Sequence, residues 1–361
     1  MGWQFLNSVP ARRKRNQMLA VDLGSRTTKA VLVERHGEAV VLTRYALLDA
    51  PIYEKKFSAE LLADHLRSVL AAIGGGPRFV TLAIDTENAV VRTVEMPLMP
   101  VGEMRQLLKM NSKNFMQQDM PDCVFDCHIF PPRLPAAGAS PAEPVKNGSA
   151  VKVKTLAVGA KQQMVADYQA AAKNAGLTTE CIVPGLIGLV NAFELAQPQV
   201  FANETVALVD LGFKHSTICV LDRGELALSR TVAIGGDRLT AGLAEAMGVN
   251  YAAAESAKLG LRPEDRPAVE SLVLPLGREL RVSLDFFEHQ RDTTVSQIYL
   301  SGAAARSELI LQILHNELMA ECKTWNPTAS LQTALPAAQA AELERVGPQL
   351  DVAIGAGLAA F

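Results

Sequence analysis

Apolar residues near the start of this chain come in short runs cut by polar turns, not in helical stripes. Met18-Leu-Ala-Val21 and Ala30-Val-Leu-Val33 are two such runs, with Asp22, Leu23, Gly24, Ser25, Thr28 and Lys29 between them. Runs this short, rich in Val and Leu and bounded by Gly and polar residues, predict buried strands joined by a hairpin turn. The same layout returns past the middle of the chain. Val206-Ala-Leu-Val209 leads into Asp210-Leu-Gly212, then Phe213, Lys214, His215 and Ser216, and then a second apolar run ending at Leu221. In both copies a hydroxyl residue, Thr28 or Ser216, stands six positions after the Asp. His36-Gly37-Glu38 and Arg223-Gly224-Glu225 follow at nearly equal offsets, and each leads into a third apolar run. One unit of three strands and two turns has been used twice.

Elsewhere helical and strand patterns mix. Leu61, Leu62, Leu66, Val69 and Leu70 give one apolar face to a helix over Ala59–Ile73, stopped by Gly74-Gly-Gly76-Pro77. Strands are predicted at Phe79–Ile84 and Val90–Val94, then a helix at about Gly102–Met116. Strands near Val124–Phe130 and at Lys154–Ala160 precede a helix at Gln163–Ala175. The stretch 131–150, rich in Pro, Ala, Gly and Ser, reads as a mobile loop within this small unit. A helix at about Gly185–Leu195 turns Leu186, Leu189, Val190 and Phe193 inward. Beyond the second copy come helices at Leu239–Met247, Tyr251–Leu259 and Pro275–Gln290. A strand at Gln297–Leu300 and a helix at Glu308–Met319 follow. The stretch Pro327–Pro348 is weakly patterned, and the chain closes on a small-residue helix starting at Val352.

The doubled turn has the chemistry of a phosphate clamp. Each turn leads from strand to strand, so it is neither a Walker loop nor a dinucleotide loop, both of which open a helix. Successive backbone N–H groups in a turn form an anion-binding concavity. Gly24 and Gly212 let backbone approach a ligand closely, Ser25, Thr28 and Ser216 offer hydroxyls, and Lys29 offers a point positive charge. Asp22 and Asp210 would repel a phosphate chain unless a cation intervenes. Mg²⁺, held mostly through water, needs only one or two such carboxylates.

Bulk properties narrow the classes. The chain has 361 residues, 49% hydrophobic and 20% charged, which suits a globular protein with a large core. A net charge of -3 offers no nucleic-acid footprint. Cys123, Cys127, Cys181, Cys219 and Cys322 form no Cys-x-x-Cys pair, as expected in a reducing compartment. Cys123 and Cys127 with His128 lack a fourth metal ligand and read as core cysteines. No run reaches the ~18 apolar residues of a membrane span. Residues 1–17 stand apart: Arg12-Arg-Lys-Arg15 follows a few apolar residues, which reads as a solvated tail or a weak anchor on an anionic membrane face.

Taken together, the order of motifs resembles the actin-like ATPase superfamily. It runs Asp-Leu-Gly-Ser25 hairpin, Pro184-Gly185 helix, Asp-Leu-Gly212 hairpin, Gly235-Gly236-Asp237, Glu255-x-x-Lys258, Ser301-Gly302-Ala303-Ala304 and Gly355-x-Gly357 helix. Within it the chain is similar to the FtsA/PilM branch, above all to PilM-like proteins of type IV pilus assembly. Ala233-Ile-Gly-Gly-Asp-Arg-Leu-Thr240, Pro184-Gly-Leu-Ile-Gly-Leu-Val-Asn-Ala-Phe-Glu194 and Glu95-Met-Pro-Leu-Met-Pro100 carry that likeness over residues 18–361.

The resemblance implies an α/β, actin-like two-lobe fold of duplicated RNase H-like domains with an FtsA/PilM-type inserted α/β subdomain. The expected division is 18–90 plus 178–203 for the first lobe, 91–177 for the insert, and 204–361 for the second lobe with a helical part at about 237–290. It implies ATP or ADP with Mg²⁺ in the cleft. Asp22, Gly24, Ser25, Thr28 and Lys29 would form one phosphate loop and Asp210, Gly212 and Ser216 the other. Gly235 and Gly236 would line the cleft, Glu255 and Lys258 would contact ribose, Gly302 and Ala303 the adenosine, and Asp22 and Asp210 would hold Mg²⁺ through water. It further implies a cytoplasmic scaffold at the inner face of the inner membrane. That scaffold would bind the N-terminal peptide of a PilN-like membrane protein, meet other pilus inner-membrane components, and have scope for self-association. Phe213, Lys214 and the single Gly of Ser301-Gly302-Ala303-Ala304 depart from the family's glycine-rich loops. With no residue marked as a base, these departures imply at most slow hydrolysis. A sugar or acetate kinase and an FtsA-like division protein are the alternatives in the same superfamily.

Overall fold

The computed structural model describes residues 15–37, 39–51, 58–131, 151–258 and 260–361. Apart from Arg15–Gln17 the expected tail lies outside these residues, and so does the expected loop at 131–150 apart from Pro131. The chain opens with strands β1 (Gln17–Leu23), β2 (Thr27–His36) and β3 (Ala39–Asp49), helix α1 (Ala59–Ile73), and strands β4 (Phe79–Ile84) and β5 (Ala89–Pro97). Helices α2 (Val101–Met110) and α3 (Ser112–Phe115), strands β6 (Cys123–Ile129) and β7 (Lys152–Lys161), helix α4 (Gln162–Asn174) and strand β8 (Thr178–Pro184) follow. Then come helices α5 (Gly185–Ala196) and α6 (Pro198–Asn203), strands β9 (Thr205–Leu211), β10 (Ser216–Asp222) and β11 (Glu225–Val232), and helices α7 (Gly236–Met247), α8 (Tyr251–Ala257) and α9 (Arg266–Arg291). Strand β12 (Gln297–Ser301), helix α10 (Glu308–Leu318), strands β13 (Glu321–Thr324) and β14 (Gln332–Thr333), and helices α11 (Ala337–Val346) and α12 (Asp351–Leu358) complete the chain.

The duplication is written into the topology. One sheet runs β14-β3-β2-β1-β4-β8 and the other β11-β10-β9-β12-β13. In each, three antiparallel strands form a meander, and a parallel strand joins the first of them. Registers match too: Asp22 lies opposite Lys29, and Asp210 opposite Thr217. Both faces of β1 are buried, so its run is apolar without alternation. Leu19 and Val21 pack with α1 and α4, whereas Met18 and Ala20 pack with α5 and α12. The second sheet repeats this, with Ala207 and Val209 toward α7, α9 and α10, and Val206 and Leu208 in the same cluster as α5 and α12. The α5–α12 layer is therefore shared by the two sheets. Phe193 on α5 stacks edge-on against Tyr299 of β12 at 4.8 Å and Trp325 at 5.3 Å.

A third sheet, β5-β7-β6, is inserted between β4 and β8. It packs on Met104 and Leu108 of α2 and rests on β11, where the Thr93 hydroxyl donates to the Leu226 carbonyl at 2.6 Å and Lys154 pairs with Glu225.

Four local expectations change. The helix read over 102–116 is broken at Asn111 into α2 and α3. Helix α9 begins at Arg266, so Pro275, which read as a helix start, lies inside it and removes one internal hydrogen bond. Helix α4, read with the insert, sends Ala171 and Ala172 into the core beneath α1. The stretch from Pro327 onward, read with the second lobe, returns to the first sheet. There β14 pairs with β3, the Gln339 amide spans the Tyr45 backbone, and α12 packs on β1. Among the described residues no helix is long and apolar enough to cross a membrane.

Candidate functional site

The β1–β2 and β9–β10 turns are closed to the same degree. A Cβ on Gly24 would come within 2.7 Å of the Thr27 carbonyl oxygen, and one on Gly212 within 2.6 Å of that of His215. Both turns open onto one cleft between the two sheets, with Asp22, Gly24, Ser25, Lys29, Asp210, Gly212, Gly236, Glu255, Lys258, Gly302 and Ala303 among its lining. Eleven positions singled out from sequence, more than 180 residues apart at the two Asp, thus share one crevice.

Three others do not line it. The Thr28 side chain is fully buried, 2.8 Å from a ring nitrogen of His65. Ser216 is fully buried and donates to the Ile234 carbonyl at 2.5 Å. Gly235 lies beneath the second turn, where a Cβ would meet the Phe213 carbonyl. The cause is strand alternation: neighbouring residues on a strand face opposite ways. The cleft receives Lys29 and its counterpart Thr217, while the preceding hydroxyls, Thr28 and Ser216, point away and anchor the turns.

At the floor, the Lys29 ammonium lies 2.7 Å from an Asp22 oxygen. Burial works against its charge, but Asp22, Asp210 and Asp351 outweigh burial and hold its pKa above the ordinary lysine value. Asp210 is pushed up to about 8 by burial and by Asp351, with Asp22 and Asp85 adding to this and Lys29 opposing. The native state therefore keeps a proton that the unfolded chain releases near 3.8. That stabilisation is complete below the unfolded value and is lost as pH rises through the folded one. In chelator, Asp210→Asn should melt like the wild type only below about pH 4, and its margin in melting temperature over the wild type should grow from there and level off above about pH 8. A margin constant with pH would contradict this assignment.

The second-sheet side of the cleft is a network on α7 and α8. Lys258, 3% exposed, donates to Glu255 at 2.8 Å and to the Thr240 hydroxyl at 3.0 Å, and Thr240 also meets Glu255. Burial opposes the charge on Glu255, yet Lys258 and Thr240 keep its pKa below the ordinary glutamate value.

Sequence reading missed several lining residues. Arg26, in the first turn, reaches across to Glu255 at 3.7 Å and lies over the Phe213 ring at 4.9 Å, so the two turns touch over the cleft. His215 pairs with Glu87 at 2.9 Å, again between the two halves, and Asp85 completes a group whose ligand atoms lie within 4.8 Å of one another. Asp351, at the start of α12, also lines the floor. The signal available in sequence was an acidic residue opening a small-residue helix, a slender one without its neighbours.

Comparison with known proteins gives the family and the fold. The family described as "Type IV pilus assembly protein PilM" matches residues 20–361. Among solved structures, the chain is similar to a PilM-PilN type IV pilus biogenesis complex, with TM-score 0.78, 21% identity, and coverage of 96% of this chain and 99% of that one. It is also similar to the ethanolamine utilization protein EutJ from Carboxydothermus hydrogenoformans, with TM-score 0.50, 14% identity, and coverage of 98% and 92%. MreB 5 of Spiroplasma citri bound to AMPPNP matches with TM-score 0.50, 10% identity, and coverage of 88% and 93%. The fold is the actin-like two-lobe α/β fold.

Proposed function

Because the chain belongs to the type IV pilus assembly protein PilM family, we propose that it is a nucleotide-binding scaffold of a type IV pilus-like machine, one that holds the cytoplasmic N-terminal segment of a PilN-like membrane protein. The observation that carries this is the near-complete structural match to a PilM-PilN complex together with a cleft lined from both sheets. Residence at the inner face of the inner membrane, contact with other pilus components and self-association would follow from that partner.

In this reading the turns at Gly24–Ser25 and Gly212 cradle the phosphates of ATP or ADP, with Thr217 facing them and Lys29 supplying positive charge. Glu255 and Lys258 meet the ribose, and Gly302 and Ala303 the adenosine. Arg26, which now spans the mouth of the cleft to Glu255, would have to let go for a nucleotide to enter. Thr28, Ser216 and Gly235 serve by shaping the turns. Carboxylates outnumber the lysine at the floor, and hard oxygen donors suit Mg²⁺. Asp22 and Asp210 would keep it near the phosphates, where it neutralises their charge. Phe213 and Lys214 line the cleft at the second turn where the resemblance implies further glycine, so in this reading the nucleotide would act more as a bound ligand than as fuel.

The inserted sheet is the favoured seat of the peptide. Val124 on β6, Met110 on α2, and Leu98 and Val151, which flank β5 and β7, are exposed apolar residues of this inserted unit. An extended peptide gains main-chain hydrogen bonds and buries alternate side chains. Nucleotide biases this binding only if it favours one arrangement of the lobes over another. The test is fluorescence anisotropy of a labelled N-terminal peptide from the PilN-like protein, titrated with the chain with and without Mg-ATP. Saturable binding with an affinity altered by Mg-ATP is expected. Absence of binding at roughly 0.5 mM chain, weaker than about 4 kcal/mol of affinity, would sink the scaffold reading.

A further inference from the structure

Asp351 brings a carboxylate to the floor of the cleft from the start of α12. It is 3% exposed. One oxygen, Oδ1, accepts from the Val352 N–H at 2.8 Å, whereas Oδ2 is buried with no hydrogen-bond partner. Burial raises the pKa of Asp351, and the nearby Ser301 hydroxyl and the Val352 N–H oppose that shift; the Ser301 hydroxyl is itself fully buried and makes no hydrogen bond of good geometry. Ser301 is the cross-strand neighbour of Asp210 in the β9–β12 pair. The floor of the cleft thus holds two carboxylates with a buried hydroxyl behind them, and Asp351 Oδ2 and Ser301 Oγ lack a hydrogen bond of good geometry.

The charges point the same way. Lys29 acts on both Asp210 and Asp351, but its ammonium is already 2.7 Å from Asp22. Asp351 acts on Asp210, and Asp22 on Asp351, as like charges. An orphaned buried carboxylate is costly, and in a native structure it calls for an ion or a water at that spot. A hydroxyl and two carboxylates are all hard oxygen donors, which suit Mg²⁺ or Mn²⁺ rather than soft metals.

We infer that Asp210 and Asp351 bind one divalent cation by direct carboxylate ligation at the floor of the cleft, before any nucleotide arrives. This deepens the nucleotide reading and rests on it for the metal's use, but the binding event itself needs no nucleotide. It moves the metal's main hold from the Asp22–Asp210 pair to the Asp210–Asp351 pair, leaving Asp22 with Lys29. The order of assembly then becomes metal first, phosphates second.

The experiment uses the full chain, stripped of metal and free of nucleotide, titrated with Mn²⁺ and followed by electron paramagnetic resonance and by thermal melting. One Mn²⁺ per chain, displaced by Mg²⁺ and raising the melting temperature by mass action, is expected. Asp351→Asn should weaken Mn²⁺ by at least about tenfold, the loss typical even of outer-shell partners. The same variant should melt higher than the wild type when both are metal-free, because an amide replaces the orphaned charge. A purely structural role for Asp351 would lower that melting temperature instead. Absence of Mn²⁺ binding by the nucleotide-free wild type overturns the inference without recourse to any variant, and so does an unchanged Mn²⁺ affinity in Asp351→Asn. Peptide anisotropy on the same samples separates the two ideas. Peptide binding without Mn²⁺ binding overturns the metal site alone, and Mn²⁺ binding without peptide binding overturns the scaffold alone.

Discussion

Gly355→Ala is expected to cost about 3 kcal/mol or more of stability, since overpacking here cannot be relieved by a rotamer change. A Cβ at this position would sit 1.7 Å from the Gly188 carbonyl oxygen and 2.8 Å from the Ala192 amide nitrogen, all backbone atoms of α5. Gly188 has the reciprocal problem, with a Cβ 2.5 Å from the Val352 carbonyl oxygen. The two helices cross backbone to backbone, and the Asn191 amide locks the crossing by donating to the Gly355 carbonyl at 3.2 Å. Their layer is the one both sheets bury, so a shift here disturbs both cores at once. The melting temperature should fall by roughly 5 °C or more. Gly102→Ala is the control: it lies in α2 with no atom within 4 Å of its Cβ, and it should gain about 0.5 kcal/mol from helix propensity. Equal melting of the two variants would show that the α5–α12 contact is looser than drawn. Because α12 begins at Asp351, a milder version of the same damage should also displace that carboxylate and weaken metal binding.

This seam also shows where sequence reading ran out. The doubled strand–turn–strand unit was legible because its signal is local: an apolar run, Asp, Gly and a second run, repeated with the same offsets. That was enough to bring Asp22, Lys29 and Asp210 to one place. It could not tell Thr28 from Lys29, or Ser216 from Thr217, because a one-residue difference decides which face of a strand a side chain takes. Nor could it place Asp351, whose neighbours Ser301 and Asp210 are far away in sequence and meet it only when α12 folds back onto the first sheet. Small residues at 355 and 357 announced close packing without naming the partner. Helix α4 was assigned by adjacency in sequence, yet its alanines fill the core beneath α1. Such choices are made by tertiary burial, which a pattern of hydrophobicity does not address.

Lys29→Met should be the most damaging single change in the cleft. The methionine keeps the apolar stem and removes the charge. Asp22 and Asp351, 8% and 3% exposed, would then face Asp210 with no cation among them. Removing one partner from a buried ion pair typically costs about 3–5 kcal/mol, because the other charge stays buried and unpaired. Chemical denaturation at neutral pH in chelator measures this loss. The attribution to charge is checked by Lys29→Met combined with Asp22→Asn, which removes the stranded partner and should recover most of the stability; contacts that are not additive are the sign of a coupled pair. Added Mg²⁺ should also restore part of it, since a cation replaces the missing ammonium. Failure of both the second substitution and the metal to rescue would mean that Lys29 matters through packing of its stem, not through its charge. The same single variant should lose affinity for polyphosphate, as the fixed positive charge between the two turns is gone.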